Sequence, residues 1–232
     1  MCGRFSLRVE LEELIAFYDL AQVEFPYTPR YNIAPGQRIP AVIEASTGRR
    51  LGPLRWGLVP SWSKDDKAGQ RMMNARADSL HTKPSFKHLF TTKRCVIPAD
   101  GFYEWRKADK QPFRITLADD SLFSLAALYD TWVSPNGERI STCTVITTEP
   151  NSLMGAIHER MPVIVPKERL SEWLDKETQP TKLQSLLTPL PAELMRAYPV
   201  SPVVGNVRND VPECIAPYTP PEVSAVDQIE FF

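Results

Sequence analysis

The sequence contains no run of roughly eighteen apolar residues, which argues against a membrane-spanning helix. It also lacks a secretory signal pattern, because Arg4, Arg8 and Glu10 interrupt the N-terminus. A cytoplasmic protein is expected. Its four cysteines, Cys2, Cys95, Cys143 and Cys214, form no CxxC pair, and the three histidines are not spaced around them as zinc ligands would be. The expectation is reduced thiols, no metal and no cofactor. A strong net charge is missing too, the formal value being -1, which would seem to argue against a nucleic-acid partner. The distribution changes that reading. Residues 30–110 hold sixteen Lys and Arg against seven Asp and Glu, whereas residues 111–232 hold nine against sixteen. A basic half can present a local surface for an anionic ligand while the whole stays near neutral. The plainer reading is a solvated face whose charges pair with the acidic half.

With 232 residues, 43% apolar and 24% charged, the chain suits one soluble globular domain with a sizeable core. Leu11, Leu14, Ile15 and Tyr18 follow helical spacing behind Glu10, Glu12 and Glu13, whose charges suit a helix N-terminus. Pro26, Pro29, Pro35 and Pro40 then predict an irregular, extended stretch. Strand-like runs lie at 39–45, 54–59, 95–98, 101–106, 113–117, 122–129, 142–148 and 162–165. Helical patterns lie at 83–90, 151–157, 167–174 and 181–187, and no internal repeat is visible. These predict an α+β fold, a single domain with a curved, mostly antiparallel sheet or open β-barrel flanked by helices. It should span residues 1–210, followed at 211–232 by a Pro-rich C-terminal tail that wraps the domain or is partly disordered.

The N-terminal Met1-Cys2-Gly3-Arg4-Phe5 carries the most distinctive chemistry. Initiator methionine is generally removed ahead of a small second residue, and Cys2 would then bear an α-amine and a thiol on one carbon. The amine has an ordinary pKa of about 7.7–8.0 and the thiol about 8.5, so both have reactive populations near neutral pH. Such a 1,2-aminothiol attacks an aldehyde through nitrogen to give a Schiff base, then closes a five-membered thiazolidine through sulfur. Four further segments look too specific for scaffold: Arg55 to Trp62, Met73 to Asp78, Gly101 to Trp105, and His158 to Pro162. In extended chain, residues i and i+2 share a face about 6.5 Å apart. Cys2 and Arg4, Asn74 and Arg76, Glu104 and Arg106, and His158 and Arg160 all keep that spacing.

These five segments resemble the SOS-response-associated peptidase (SRAP) family, whose members sense abasic sites in DNA, and the match runs from Cys2 to about residue 205. The resemblance implies that Cys2 forms a thiazolidine with the ring-opened aldehyde of an abasic site in single-stranded DNA. The product is a covalent DNA–protein crosslink that shields the lesion. Catalytic roles then fall to Cys2, Asn74, Glu104 and His158, and DNA binding to Arg4, Arg76, Trp105 and Arg160. Glu104, behind Phe102 and Tyr103, is expected to have a raised pKa and to open the sugar and shuttle protons. His158 shares that duty, and Asn74 hydrogen-bonds the sugar or the terminal amine. The arginines flanking these groups would hold phosphates, whereas Arg106, outside the best-matched residues, reads as a surface ion pair. Trp105 lies on the opposite strand face from Glu104, and the resemblance implies that it stacks on a neighbouring base. Trp56 and Trp62 suit either stacking or core, and His81 and His88 either solvent or phosphate.

The expected partner is therefore single-stranded DNA bearing abasic sites, handled by a monomer that is nucleoid-associated when bound and cytoplasmic otherwise. The main alternative is a cysteine peptidase in which Cys2 is an N-terminal nucleophile, self-removal of Met1 being one version of it. A non-covalent single-strand binder is a third reading, and it leaves Cys2, Glu104 and His158 without a task.

Overall fold

A computed structural model describes residues 2–220. The elements are, in order, β1 (Phe5–Leu7), α1 (Leu11–Tyr18), β2 (Leu20–Val23), β3 (Arg30–Ile33), β4 (Arg38–Ala45), β5 (Gly48–Trp56), β6 (Asn74–Arg76), α2 (Pro84–Thr92), β7 (Arg94–Ala99), β8 (Gly101–Trp105), β9 (Pro112–Leu117), β10 (Phe123–Val133), β11 (Arg139–Thr148), α3 (Ser152–Gly155), β12 (Met161–Pro162), β13 (Ile164–Val165), α4 (Leu170–Leu174), α5 (Pro180–Ser185) and β14 (Met195–Pro199), with short 3-10 turns between them. This is the expected single-domain α+β fold. Among the described residues no helix is long and apolar enough to cross a membrane.

Two sheets organise the molecule. The first runs β14-β9-β8-β1-β3, and every pairing in it is antiparallel. The second contains the ring β11-β10-β7-β4-β5, which closes where β5 returns to pair with β11. Closure comes from a parallel contact of two residue pairs, Arg55 with Thr142 and Trp56 with Cys143, in an otherwise antiparallel barrel. Phe5 of β1 sets its ring 5.4 Å from that of Trp56, so the core is continuous from the first sheet into the barrel.

The short β1 is fixed in register by charge as well as by packing. Asp100, almost fully buried, accepts from Ser6 Oγ at 2.6 Å, from Arg8 N at 3.0 Å and from Arg114 Nη2 at 3.0 Å. An ion pair with little access to water is costly to break by removing one partner. The network therefore holds the N-terminal strand against β8 and β9.

Several boundaries differ from those the sequence predicts. β5 ends at Trp56, not at residue 59, because Gly57 adopts φ 127° and passes against Gly69. A Cβ on Gly57 would lie 2.4 Å from the Gly69 carbonyl oxygen, so only glycine fits there. The single strand expected at 162–165 is two two-residue bridges, to β11 and β10 respectively. The helix expected at 151–157 is one turn, capped by the Asn151 side chain accepting from Met154 N, and that expected at 167–174 opens as a 3-10 turn. In α1, Leu14 and Tyr18 are buried as expected but Ile15 is 39% exposed. Residues 211–220 pack on the first sheet: Cys214 is fully buried and Tyr218 N donates to Pro199 O. The rest of the tail, from 221, lies outside the described residues.

Candidate active site and nucleic-acid interface

The site lies where the N-terminal strand meets the barrel. Tyr103 N donates to Arg4 O at 2.9 Å, so the β1–β8 ladder continues back toward Cys2 and brings it alongside the end of β8. From the barrel side, β6 adds in parallel to β11, Asn74 opposite Val145 and Arg76 opposite Thr147. Asn74 Nδ2 donates to Cys2 O at 2.9 Å, joining the two sheets. Its Oδ1 is buried and, among the described residues, accepts no hydrogen bond. An orphaned buried acceptor is costly, so such an atom marks a place where a donor is expected.

Electrostatics separate the groups at this junction. Cys2 is fully buried, and burial, reinforced by the Glu104 carboxylate, pushes its thiol far above the ordinary range. Glu104 on β8 is 3% exposed, and burial raises its carboxyl pKa to about 7. It is thus divided between acid and carboxylate near neutral pH, as a general acid–base group requires. His158 follows α3, its N–H bonded to Met154 O at 2.7 Å. Its Nδ1 lies 3.1 Å from Arg160 N and 3.3 Å from Arg160 O, so the backbone of Arg160 holds the ring in place. Burial lowers the imidazole pKa, so the ring is mainly neutral at pH 7.

The arginines are held in different ways. Arg76 is 60% exposed and pairs with Asp78 at 2.6 Å. Arg160 donates through Nη2 to Thr147 O at 2.7 Å and stands 3.9 Å from Asp78, while its Nε is buried without a partner among the described residues. Asp78 thus fixes both cations on one rim. Arg4 is instead committed to its own chain, giving hydrogen bonds to Asn32 Oδ1 at 2.9 Å, Val204 O at 2.6 Å and Gly205 O at 3.0 Å. Its guanidinium also lies 5.7 Å from the centre of the Trp105 ring. Trp105 faces away from Glu104, as strand alternation predicts, and packs half-buried against a small cluster of Tyr103, Val200, Val204 and Cys214. Arg106 pairs with Asp109 at 2.5 Å.

The structure thus brings Cys2, Asn74 and Glu104 together, with His158, Arg76 and Arg160 on the rim, and sets Arg4 and Trp105 on the far side of β8. Trp56 is core, its Nε1 donating to Met73 O at 2.9 Å, whereas Trp62 is 66% exposed. His81 and His88 are exposed. Sequence reasoning missed Thr147 and Asn32. Thr147 Oγ1 is buried beside Arg76 and Arg160 with no hydrogen-bond partner among the described residues, and Asn32 holds Arg4 while donating to Val204, Asn206 and Asn209 carbonyls. Nothing in the four threonines and intervening apolar residues of β11 marks one of them as special. Among the described residues no group of three or more His, Cys, Asp or Glu could hold a metal ion.

Residues 1–207 match the family described as SOS response associated peptidase (SRAP). The chain belongs to the SRAP family. It is 49% identical over 221 residues to abasic site processing protein YoqW of Bacillus subtilis (strain 168), which covers 93% of this chain and 99% of that one. Abasic site processing protein HMCES of Xenopus tropicalis is 37% identical over 223 residues, covering 82% of this chain and 66% of its own. Among solved structures, a protein from Bacteroides thetaiotaomicron superposes with a TM-score of 0.87 at 29% identity, covering 94% of this chain and 100% of that one. This SRAP chain therefore shares its architecture with proteins whose identity to it ranges widely.

Proposed function

We propose that this chain recognises abasic sites in single-stranded DNA and, once Met1 has been removed, closes a thiazolidine on them through Cys2. With Met1 attached the Cys2 nitrogen is an amide and cannot attack. The observation that carries the reading is Asn74. One end of its amide grips the Cys2 carbonyl and the other offers a buried acceptor, the arrangement needed to orient an amine on that same residue. The similarity to proteins named for abasic site processing supports the choice of aldehyde.

Each step finds its group. Glu104, protonated, donates to the sugar ring oxygen as the C1′–O4′ bond breaks and the C1′ hydroxyl loses its proton, releasing the aldehyde. The Cys2 amine adds to C1′, the new oxyanion is protonated, and water leaves to give the imine. Sulfur then adds to the imine carbon while the thiol proton passes to nitrogen. The balance is aldehyde plus aminothiol to thiazolidine plus one water. Burial that keeps the thiol protonated suits this order, since sulfur acts last and brings its proton with it. An acyl-transfer peptidase would call instead for a thiolate, which the same burial opposes. Arg76 and Arg160 hold the flanking phosphates and His158 relays protons. One chain supplies all of these groups, so we infer that it acts as a monomer.

The test is to mix Met1-free protein with a single-stranded oligonucleotide carrying one abasic site and weigh the denatured product. The expected mass is the sum of the two less one water. Absence of any adduct, or one that retains that water, rules the mechanism out.

A further inference from the structure

A second cluster of arginines lies at the other end of β11. β5 and β11 touch only at Arg55–Thr142 and Trp56–Cys143, after which β5 follows β4 and β11 follows β10. The two strands diverge from their parallel contact and leave a cleft of about 580 Å³. Arg38, Arg50, Arg55 and Arg139 line it together with Glu24 and Glu138, four cations against two anions, with Tyr129 on one wall and Gly52 among its lining. Arg38 and Arg55 are direct cross-strand partners. Like charges placed opposite each other destabilise a sheet, and an anion between them offsets this. Asp66 reaches Arg55 at 3.2 Å and Glu24 reaches Arg50 at 3.2 Å, both from half-exposed positions where ion pairs are weak.

β11 runs from this cleft to the position opposite Asn74. Arg55 also lines a neighbouring hollow of about 390 Å³ walled by Gly36, Trp56, Gly57 and Gly69, and Trp56 is bonded to Met73, the residue before Asn74. From Val145, opposite Asn74, back to Ser141 at the cleft is four residues of β11, about 14 Å. That is the reach of roughly four stacked nucleotides. We propose that this arginine cleft is a second nucleic-acid subsite, which takes the phosphodiester backbone of the same strand several nucleotides away from the one at Cys2. The inference rests on the proposed handling of single-stranded DNA and adds a length dependence to it.

The test compares unreactive oligothymidylates of about 5 and about 20 nucleotides on the intact chain, by fluorescence anisotropy across a salt series. The variants are the double Arg38→Ala/Arg139→Ala and, separately, Gly52→Gln. A Cβ at Gly52 meets nothing within 4 Å, so glutamine enters the cleft without disturbing the fold, which thermal unfolding verifies. Both variants should lose about tenfold in affinity for the long strand, and the double variant should lose about 1.4 from its salt slope, 0.7 per contact. Neither should change binding of the short strand or adduct formation on a short abasic oligonucleotide. Equal losses on both lengths, no loss on either, or tight long-strand binding by Gly52→Gln overturns the subsite. So does polyglutamate displacing the long strand from wild type but not from the variants, which would assign the cleft to acidic peptide. If wild type binds neither length, the DNA reading itself fails along with the cleft. If wild type binds and forms adduct while the variants match it, only the cleft fails.

Discussion

The two arginines Arg4 and Arg160 flank the site around Cys2, and they differ in what they are free to do. Arg4 spends its guanidinium on Asn32 and on the carbonyls of residues 204 and 205, with Trp105 covering it. Arg160 makes one hydrogen bond, to Thr147, and keeps a buried Nε unused among the described residues. The contrast extends to the halves of the site they belong to. The first-sheet half is held by the contacts of Arg4, Ser6, Asp100 and Arg114 and carries Cys2. The barrel half carries Asn74 Oδ1, Thr147 Oγ1 and Arg160 Nε, buried polar atoms with no hydrogen-bond partner among the described residues. Two cations in similar sequence settings, each two residues beyond a reactive side chain, therefore do different work.

The hardest test of this division concerns Cys2. Cys2→Ala should bind abasic DNA yet give an adduct only when borohydride traps the imine, and one uncleaved residue placed ahead of Cys2 should abolish the heat-stable link. Denaturing gels with and without borohydride read both. A heat-stable adduct from the extended protein would mean that thiol-only chemistry suffices.

Glu104→Gln should slow crosslinking by roughly 10²–10⁴-fold, the usual worth of a positioned acid or base, with DNA affinity unchanged. With the carboxyl acting as acid at a pKa of about 7, wild-type rate should fall as pH rises above that value. Stability should fall with rising pH as well, over a lower range. The folded state keeps this proton until about pH 7, while an unfolded glutamate loses it near 4.5. Between those values the unfolded state binds fewer protons, so wild-type stability declines with rising pH and then levels off. Glu104→Gln removes that decline and should be more stable than wild type by about 1–3 kcal/mol at pH 8, with no gain at pH 4. Denaturant melts at the two pH values measure this, and equal stability at pH 8 would mean that burial is not straining the carboxyl.

The smallest effects separate the arginines themselves. Arg160→Ala should weaken single-strand binding and reduce its salt slope by about 0.7, with little change in melting temperature. Arg4→Ala should do the reverse, losing about 1–3 kcal/mol of stability through its broken hydrogen bonds while the salt slope holds. A lower slope for Arg4→Ala would place that guanidinium on DNA after all.

Much of this was readable from the residues and some was not. Helical spacing located α1, and β-branched runs located most strands, because both patterns report burial directly. The barrel's closure was not readable: β5 meets β11 across more than eighty residues and through two residue pairs, which leave no periodic trace. The short strands β2, β3, β6 and β14 escaped for a related reason, since their neighbours and not their composition make them strands. Cys2, Asn74, Glu104 and His158 were picked out by their chemistry and by family resemblance. The occupation of Arg4 could not be foreseen, because its partners lie about two hundred residues away. Nor could the burial of Trp56 be told from the exposure of Trp62, six positions on.

The network of Ser6, Asp100 and Arg114 has a kinetic meaning. Chain termini ordinarily fray, and a nucleophile on a frayed end must find its target by search. Here the terminus is moored four residues from Cys2. For the proposed reaction, the freedom that would be lost when amine and aldehyde meet is then given up already, during folding. In the language of effective molarity, mooring turns an encounter into a near-unimolecular step. On that reading the residue that reacts is already held by the folded strand when it meets its target.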